Sequence, residues 1–330
     1  MRGFLETPLM NSRAMVIPAV ALDVSSMRHS RRALSAFAWG ILAYNVAVIL
    51  WGAYVRYTGS GAGCGNHWPL CDGVVSHPHI QTVIEFTHRM SSGAALVSVA
   101  CLWVWTRLAM PRRHPSRWAG TVALLLIVNE ALLGAFLVLF EHVAQDKSIA
   151  RAISLSLHSV NTMLLLGAIA LTAFWVGKPS YSVLHWPATG RALIPALALI
   201  MLLAGATGTV TALGDTLFHA ASLGSAFAQD FSSNSHYLLR LRALHPATAV
   251  IATVLVAWFL ARIWRSANRS LQNLALVVSL IFLFQLALGV LNVVLLAPMW
   301  LQIIHLFTAD VLWTTLVLLA TKWLSTQGAH

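Results

Sequence analysis

Long runs of apolar residues separated by short polar segments dominate the chain. Eight runs exceed the 18 residues at which an apolar stretch is read as a membrane-spanning helix. The predicted spans are 34–55, 81–106, 118–140, 153–176, 192–213, 243–264, 272–296 and 300–322. This pattern predicts an all-α integral membrane protein with eight transmembrane helices.

The first 32 residues do not continue this pattern. They contain only a short apolar patch, Ala14–Leu22, with charged flanks. The patch is too short to span a bilayer and lacks a convincing signal-peptide cleavage site. We therefore expect 1–32 to be a cytoplasmic N-terminal tail.

Composition and charge agree with a bilayer location. Of the 330 residues, 58% are apolar and only 9% are charged, against about 25% charged in a typical soluble domain. The net charge is +11, and 15 of the 21 Lys and Arg lie in segments on one side of an eight-helix serpentine. The positive-inside rule makes that side cytoplasmic and places both termini there, in the plasma membrane. No segment mixes basic and aromatic residues as nucleic-acid surfaces do, so we expect no nucleic-acid partner.

The chain reads as a duplication of one four-helix unit. Gly134 aligns with Gly289 inside one of four short matches that follow in the same order. The matched segments are 51–59 with 204–212, 86–90 with 243–247, 129–140 with 284–295, and 155–160 with 301–307. Four helices per copy insert both copies in one direction. We predict two parallel four-helix repeats, 33–178 and 179–330, related by a pseudo-twofold axis along the membrane normal.

Each even-numbered helix carries a histidine near its predicted outer end, and the four are His88, His158, His245 and His305. An ionisable group inside a membrane segment is costly and marks a functional candidate. The alternative is that each ring only bonds a neighbouring carbonyl or hydroxyl. Two facing imidazoles per half are the ligands of six-coordinate haem iron, which predicts the pairs His88–His158 and His245–His305. Tetrahedral zinc is disfavoured because the C-terminal half lacks suitably placed carboxylates and thiolates.

The two halves differ next to these histidines. Glu85 lies three residues before His88 and shares its helix face, whereas Arg242 lies three residues before His245. A carboxylate near iron can act as an acid or base, or stabilise positive charge on a substrate carbon. Arg242 suits a haem propionate, as Arg56 and Arg89 do for the first site. The alternative is that Glu85 only pairs with Arg89 or Arg56 at the membrane surface.

Two more acids fall inside predicted helices. Glu130 aligns with Gln285 of the other copy, so we expect it to form a polar bridge between helices. Asp310 lies five residues beyond His305, and we expect it to pair with Trp313 or a neighbouring helix. Proton transfer is the alternative role for both acids.

The loop "GSGAGCGNHWPLCDG" (59–73) holds three glycines and two cysteines. No Lys-Ser/Thr follows the glycines as a phosphate loop requires. Cys64 and Cys71, with His67 between them, fit either a metal site or a disulfide. The predicted exoplasmic location favours the disulfide.

Several of these features occur together in one known family. They are "GAYVRYTGSGAGC" followed by "WPLC" (52–71), "EFTHR" (85–89), the four histidines, and "LALGVLNVVLLAP" (286–298). Over about residues 35–322 the chain resembles the haem A synthase family of membrane proteins (CtaA/Cox15 type). Glu130 departs from the glutamine that the other copy suggests.

The resemblance implies a specific oxidoreductase. Family members oxidise a ring methyl of haem O to a formyl group by successive hydroxylations, giving haem A for cytochrome oxidase. Glu85 is then the catalytic carboxylate. The implied axial ligands are His88 and His158 for the substrate haem, and His245 and His305 for a haem b cofactor. The implied disulfide joins Cys64 to Cys71. Candidate partners are haem O, haem O synthase, an electron acceptor and a second copy of the chain.

Two other functions compete with this one. A non-catalytic di-haem b-type cytochrome would pass electrons between a quinol and a partner. The absence of a counterpart to Glu85 in the second half favours the enzyme, because an electron conduit does not need that difference. A transporter is disfavoured because the sequence lacks a pair of Gly/Pro-interrupted helices.

Overall fold

Helices make up the regular structure of the part of the chain that is described. A computed structural model describes residues 19–71, 79–178, 184 and 186–327, with side chains from residue 29 onward. It contains no strand within these ranges. The helices are α1 (Ala19–Tyr57), α2 (Ile80–Ala109), α3 (Pro115–Leu139), α4 (Ile149–Val176), α5 (Ala188–Leu217), α6 (Leu223–Phe231), α7 (Tyr237–Leu241), α8 (Leu244–Trp264), α9 (Arg269–Val294) and α10 (Met299–Thr326).

Eight segments within the described ranges are long and apolar enough to cross a membrane, as the sequence predicts. Helices α2–α5, α9 and α10 each form one span, α7 and α8 together form Tyr237–Trp264, and the apolar part of α1 is His29–Tyr57. Side chains that cap the first backbone N–H groups explain where several helices begin. Ser148 accepts a hydrogen bond from the Arg151 N–H at the start of α4, and Asn268 caps α9 in the same way. The all-α, eight-span prediction is confirmed.

Two regions differ from the prediction. Helix α1 begins at Ala19, well before the predicted start at residue 34, so the expected tail of residues 1–32 overlaps a helix. No Gly or Pro interrupts the chain between Ala19 and Gly40, and nothing therefore stops the helix from extending. The expected loop after the fifth span also contains α6, which starts with a capping box formed by Ser222 and Ser225. A nine-residue helix was too short for the hydrophobic pattern to reveal.

The helices of each half pack in the same order. In the first half α1 contacts α2, α2 contacts α3, α3 contacts α4, and α4 returns to α1. In the second half α5 contacts α8, α8 contacts α9, α9 contacts α10, and α10 returns to α5. The halves meet where α4 contacts α5 and α10, and where α1 contacts α10. Two parallel copies would show this pattern, while the pseudo-twofold axis itself stays a prediction.

The central position of α4 and α10 determines where the core lies. These two helices are the most buried of the spans, with 67% and 39% of their most apolar windows buried, against 22–28% in the others. Leu108 and Trp118 are 81% and 70% exposed, as side chains facing lipid would be. The core is therefore the seam between the two halves.

The cysteine loop follows α1 and returns the chain to α2. Cys64 and Cys71 form a disulfide with their Cα atoms 4.4 Å apart, which confirms the predicted pairing. Within the described ranges, no three His, Cys, Asp or Glu residues group as a metal site would require. The sulfur of Cys64 is buried against the start of α2, where it lies 3.9 Å from the Thr82 carbonyl.

Mass spectrometry of the unreduced protein tests this pairing. We expect a cross-linked Cys64–Cys71 peptide and alkylation only at Cys101, which is a free, exposed cysteine. The double variant Cys64→Ser/Cys71→Ser should lose about 2.5 kcal/mol of unfolding free energy, because an eight-residue loop is no longer closed. Alkylation of Cys64 and Cys71 in native protein would contradict the assignment.

Candidate functional site

The four predicted histidines lie at one end of the bundle, which we call the disulfide end because it carries the Cys64–Cys71 loop. Each one sits between the seventh and tenth residue of a span that begins at this end. At 1.5 Å per residue, all four lie roughly 9–14 Å along their helices. Their depths therefore match, as the sequence predicts.

The second-half pair has the spacing that one metal ion requires. The ring centroids of His245 and His305 are 6.4 Å apart, with their planes at 90°. A metal with two opposed imidazole ligands needs about 6.4 Å between centroids, given metal–nitrogen bonds of about 2.0–2.1 Å and a ring radius of about 1.2 Å. The pair fits a six-coordinate iron held between two rings.

Neighbouring groups orient the rings of this pair. The Nδ1 atom of His245 lies 3.1 Å from the Ala204 carbonyl oxygen. When Nδ1 donates its proton there, Nε2 keeps a lone pair for a metal. The amide of Gln285 lies 3.3 Å from Nε2 of His305. The Nδ1 atom of His305 is buried with no hydrogen-bond partner among the described residues.

The first-half pair is also brought together. His88 of α2 and His158 of α4 lie at matching depth at the disulfide end. The Nδ1 atoms of both are buried and make no hydrogen bond within the described ranges. Glu130 of α3 is the nearest charged group to His158, with Oε1 at 3.5 Å from Nδ1, an ion-pair distance beyond good hydrogen-bond geometry.

Glycines on α1 and α5 let two of the histidine rings approach the backbone closely. A Cβ atom at Gly52 would lie 2.9 Å from Cε1 of His88, and one at Gly208 would lie 3.0 Å from Cε1 of His245. Only glycine permits this approach. The sequence alignment set Gly52 against Gly205, so the structure shifts that match by three residues. A shift of three residues leaves a position on nearly the same face of the helix, so the sequence match could not reveal it.

Glu85 is buried, 3% exposed, and its carboxylate is fixed by three donors. It accepts hydrogen bonds from Nη2 and Nε of Arg89 at 2.6 and 3.2 Å, and from the Cys64 N–H at 2.8 Å. Arg89 also donates to the His67 carbonyl. The expected alternative, an ion pair between Glu85 and Arg89, is therefore present, but it is a buried pair tied to the disulfide loop and not a surface contact.

Comparison with known proteins identifies the family. The COX15-CtaA model, described as cytochrome oxidase assembly protein, matches residues 35–83 and 75–317. The chain belongs to the COX15-CtaA family. Together with its eight apolar spans, this membership makes it an integral membrane protein.

Individual relatives carry two different names. The chain is 44% identical over 304 residues to a Thermus thermophilus "Protoheme IX farnesyltransferase", covering 90% of this chain and 49% of that protein. It is 39% identical over 130 residues to the "Heme A synthase" of Alkalihalophilus pseudofirmus, covering 38% of this chain and 40% of that protein. The same name belongs to a Halalkalibacterium halodurans protein, 39% identical over 140 residues, or 41% and 44% of the two chains. The chain spans about half the length of the curated relatives it matches.

Arg56 of this COX15-CtaA chain joins the two halves. From α1 it donates to the Ala212 carbonyl at 2.6 Å, to Thr216 at 2.8 Å and to Gln302 at 3.3 Å. These acceptors belong to α5 and α10 of the second half. The sequence predicts Arg56 near the first histidine pair and does not reveal that it reaches across the seam.

Arg151 is a site residue that the sequence analysis missed. It is 2% exposed, donates to the carbonyls of Ala144 and Asp146, and has a buried Nε with no partner within the described ranges. Because it precedes His158 by seven residues, it lies two turns away on the same face of α4. The available signal was its position, since only six of the 21 Lys and Arg lie on the predicted outer side.

Arg242 is held between two carboxylates of this half. It donates to Asp215 at 2.9 Å and to Asp230 at 2.8 Å. The predicted contrast between a carboxylate in one half and a cation in the other is therefore incomplete, because both halves place an ion pair at the disulfide end. The two halves still differ in where the acids stand. Glu85 lies on the same helix as His88, one turn away, whereas Asp215 and Asp230 lie on α5 and α6 and His245 lies on α8.

The two other intramembrane acids have different surroundings. Glu130 accepts hydrogen bonds from Asn161 and Thr162, which forms the predicted polar bridge between α3 and α4. The predicted pairing of Asp310 with Trp313 is wrong, because the Trp313 indole donates to the Met163 carbonyl across the seam. Asp310 is 4% exposed, and its Oδ2 makes no hydrogen bond within the described ranges.

Proposed function

We propose that this protein is a haem A synthase, a haem O oxidoreductase that converts a ring methyl to a formyl group by successive hydroxylations, giving haem A for cytochrome oxidase. The observation that carries the proposal is the difference between two similar histidine pairs. Both sit at one depth, but only the first has a buried carboxylate, Glu85, one turn away on the same helix. Relatives named heme A synthase support it.

The histidines divide between substrate and cofactor. His88 and His158 hold the iron of haem O, and His245 and His305 hold the iron of haem b. When bound, haem b supplies one-electron transfer. The 6.4 Å spacing of the second pair and the unpartnered ring nitrogens of the first support these roles.

Glu85 is the catalytic carboxylate. Its place one turn from His88 sets it beside the edge of a ligand on that histidine, where it accepts protons released at the methyl carbon or stabilises positive charge there. Arg89 and the Cys64 N–H hold its oxygens in position, so no reorganisation is needed during the reaction. The disulfide loop thus orients the acid.

Buried and half-buried arginines at the disulfide end bind the propionates. Arg89 and Arg151 serve the first site, Arg242 the second, and Arg56 reaches between them. The unpartnered Nε of Arg151 is the strongest support, because a buried guanidinium needs an anionic or carbonyl acceptor for each donor.

The excess of Lys and Arg in the segments on one side supports cytoplasmic termini and a disulfide loop outside the plasma membrane. We propose that a haem O synthase, an electron acceptor and a second copy of the chain are the partners of this protein.

A non-catalytic di-haem cytochrome is the second candidate. The likeness of the two histidine pairs favours it, as does Arg56, which joins the two halves of the bundle. It needs both haems but no reacting methyl group. The substrate test below separates the two functions.

Substitution of Glu85 tests the enzyme. Expressed with a haem O source, the wild type should form haem A, detected by chromatography of extracted porphyrins. Glu85→Gln should retain haem and lose about 10²–10⁴-fold in haem A formation, the usual contribution of a positioned acid or base. A Glu85→Gln yield equal to wild type removes Glu85 from the mechanism. No haem A from a wild type with normal haem spectra would favour the cytochrome.

The ligand assignment is tested by removing one imidazole at a time. His245→Ala and His305→Ala should each abolish the low-spin spectrum of tightly bound haem b, while His88→Ala and His158→Ala keep it. The protein should still insert, because the bundle packs through apolar contacts. A normal spectrum in either second-half variant rules out that ligand.

Gly208→Ala tests the close contact between the backbone of α5 and the His245 ring. The added Cβ would lie 3.0 Å from Cε1, so the ring must move, and we expect a weakened or shifted haem b spectrum and a loss of about 1–3 kcal/mol of unfolding free energy. Gly134→Ala is the matched control, because a Cβ there meets no described heavy atom within 4 Å. Equal behaviour of the two variants would show that the contact does not orient the ring.

A further inference from the structure

The carboxylate of Glu130 stands behind one histidine ring. Its Oε1 lies 3.5 Å from Nδ1 of His158, and that nitrogen has no hydrogen-bond partner among the described residues. An imidazole that binds a metal through Nε2 carries a proton on Nδ1, which needs an acceptor. Glu130 is the acidic group within ion-pair distance of that nitrogen among the described residues.

A polar network fixes the Glu130 carboxylate. Asn161 donates to Glu130 and to the Leu126 carbonyl, and its own oxygen accepts from Asn129 at 2.8 Å. Thr162 donates to the other carboxylate oxygen. Both amides are thereby oriented, and the acid cannot turn away from His158 without breaking these bonds.

The second half lacks this network. The repeat matches align the four polar residues with Phe284, Gln285, Thr308 and Ala309. Gln285 is the aligned group beside a ring. Its neutral amide lies 3.3 Å from Nε2 of His305, while Nδ1 of that ring has no hydrogen-bond partner among the described residues. The partner of His245 is also neutral, the Ala204 carbonyl. The acidic partner of a ligand therefore belongs to the first half within the described residues.

We infer that Glu130 is a positioning residue that accepts the Nδ1 proton of His158, directs Nε2 to the substrate iron and makes that ligand more electron-rich than its counterparts in the second half. The inference rests on the proposed function. Carboxylate partners of metal-bound histidines fix the tautomer and raise ligand basicity, and their loss costs about 10–100-fold in affinity or activity.

The arrangement has a consequence for the midpoint potential of a bound haem. An electron-rich ligand stabilises oxidised iron, so a haem held by His88 and His158 would have a lower midpoint potential than one held by His245 and His305.

Removal of the acid tests the inference. Glu130→Gln leaves a neutral amide in its place, and Glu130→Asp keeps a carboxylate. Purified protein is reconstituted with haem b, and midpoint potentials are measured by redox titration. Single-haem backgrounds, His305→Ala for the first site and His158→Ala for the second, separate the two signals. Glu141→Gln, the same change at an exposed glutamate, is the matched control.

We expect Glu130→Gln to raise the first-site potential and to speed haem release about 10–100-fold. In a Glu130→Gln variant that keeps all four histidines, the second-half haem spectrum should show that the bundle is intact. Glu130→Asp should stay closer to the wild-type potential, and Glu141→Gln should not change it. An unchanged first-site potential in Glu130→Gln overturns the inference but leaves the proposed function standing. If Glu130→Gln loses both haems, the potential of Glu130→Asp decides. A wild type that binds no haem at His88 and His158 overturns both.

Discussion

The contact between a histidine ring and the backbone of the next helix underlies the whole arrangement. An imidazole on a membrane-spanning helix has few polar neighbours to hold it, so its direction is set by packing. Gly52 and Gly208 allow α1 and α5 to approach the rings of His88 and His245 to about van der Waals contact. Each ring is therefore held at the depth where its partner from α4 or α10 meets it, and the two most buried helices carry those partners.

Polar groups concentrate at the disulfide end because the apolar remainder of the bundle cannot satisfy them. Four arginines lie there, each with carbonyl or carboxylate acceptors: Arg56, Arg89, Arg151 and Arg242. An unpaired charge in the membrane would cost several kcal/mol. Placing arginines and acids at one shared depth makes them partners of one another and of any anionic ligand between them. The opposite end of the bundle is held together mainly by apolar packing.

The sequence predicts the spans well because each is a long apolar run, a signal that needs no tertiary information. The histidines stand out for the converse reason, as rare ionisable groups in such runs. The sequence could not predict which side chains cross between helices. Arg56 reaches α5 and α10, Asp215 and Asp230 converge on Arg242 from separate segments, and Trp313 turns to α4 instead of Asp310. These contacts depend on helix rotation, which apolar runs on nearly uniform helices do not encode.

The proposed duplication accounts for chemistry confined to one half. Both halves carry a histidine pair, the same helix order and a glycine next to a histidine ring, so the proposed function has each half hold the same kind of flat metal complex. The acids at the disulfide end do not distinguish the halves by charge alone, because Glu85 is paired with Arg89 and both Asp215 and Asp230 are paired with Arg242. Glu130 is the difference that remains, since its carboxylate lies beside Nδ1 of His158 and the aligned residue of the second half, Gln285, is a neutral amide. One scaffold can therefore place different charge beside its two histidine pairs without any change in helix packing.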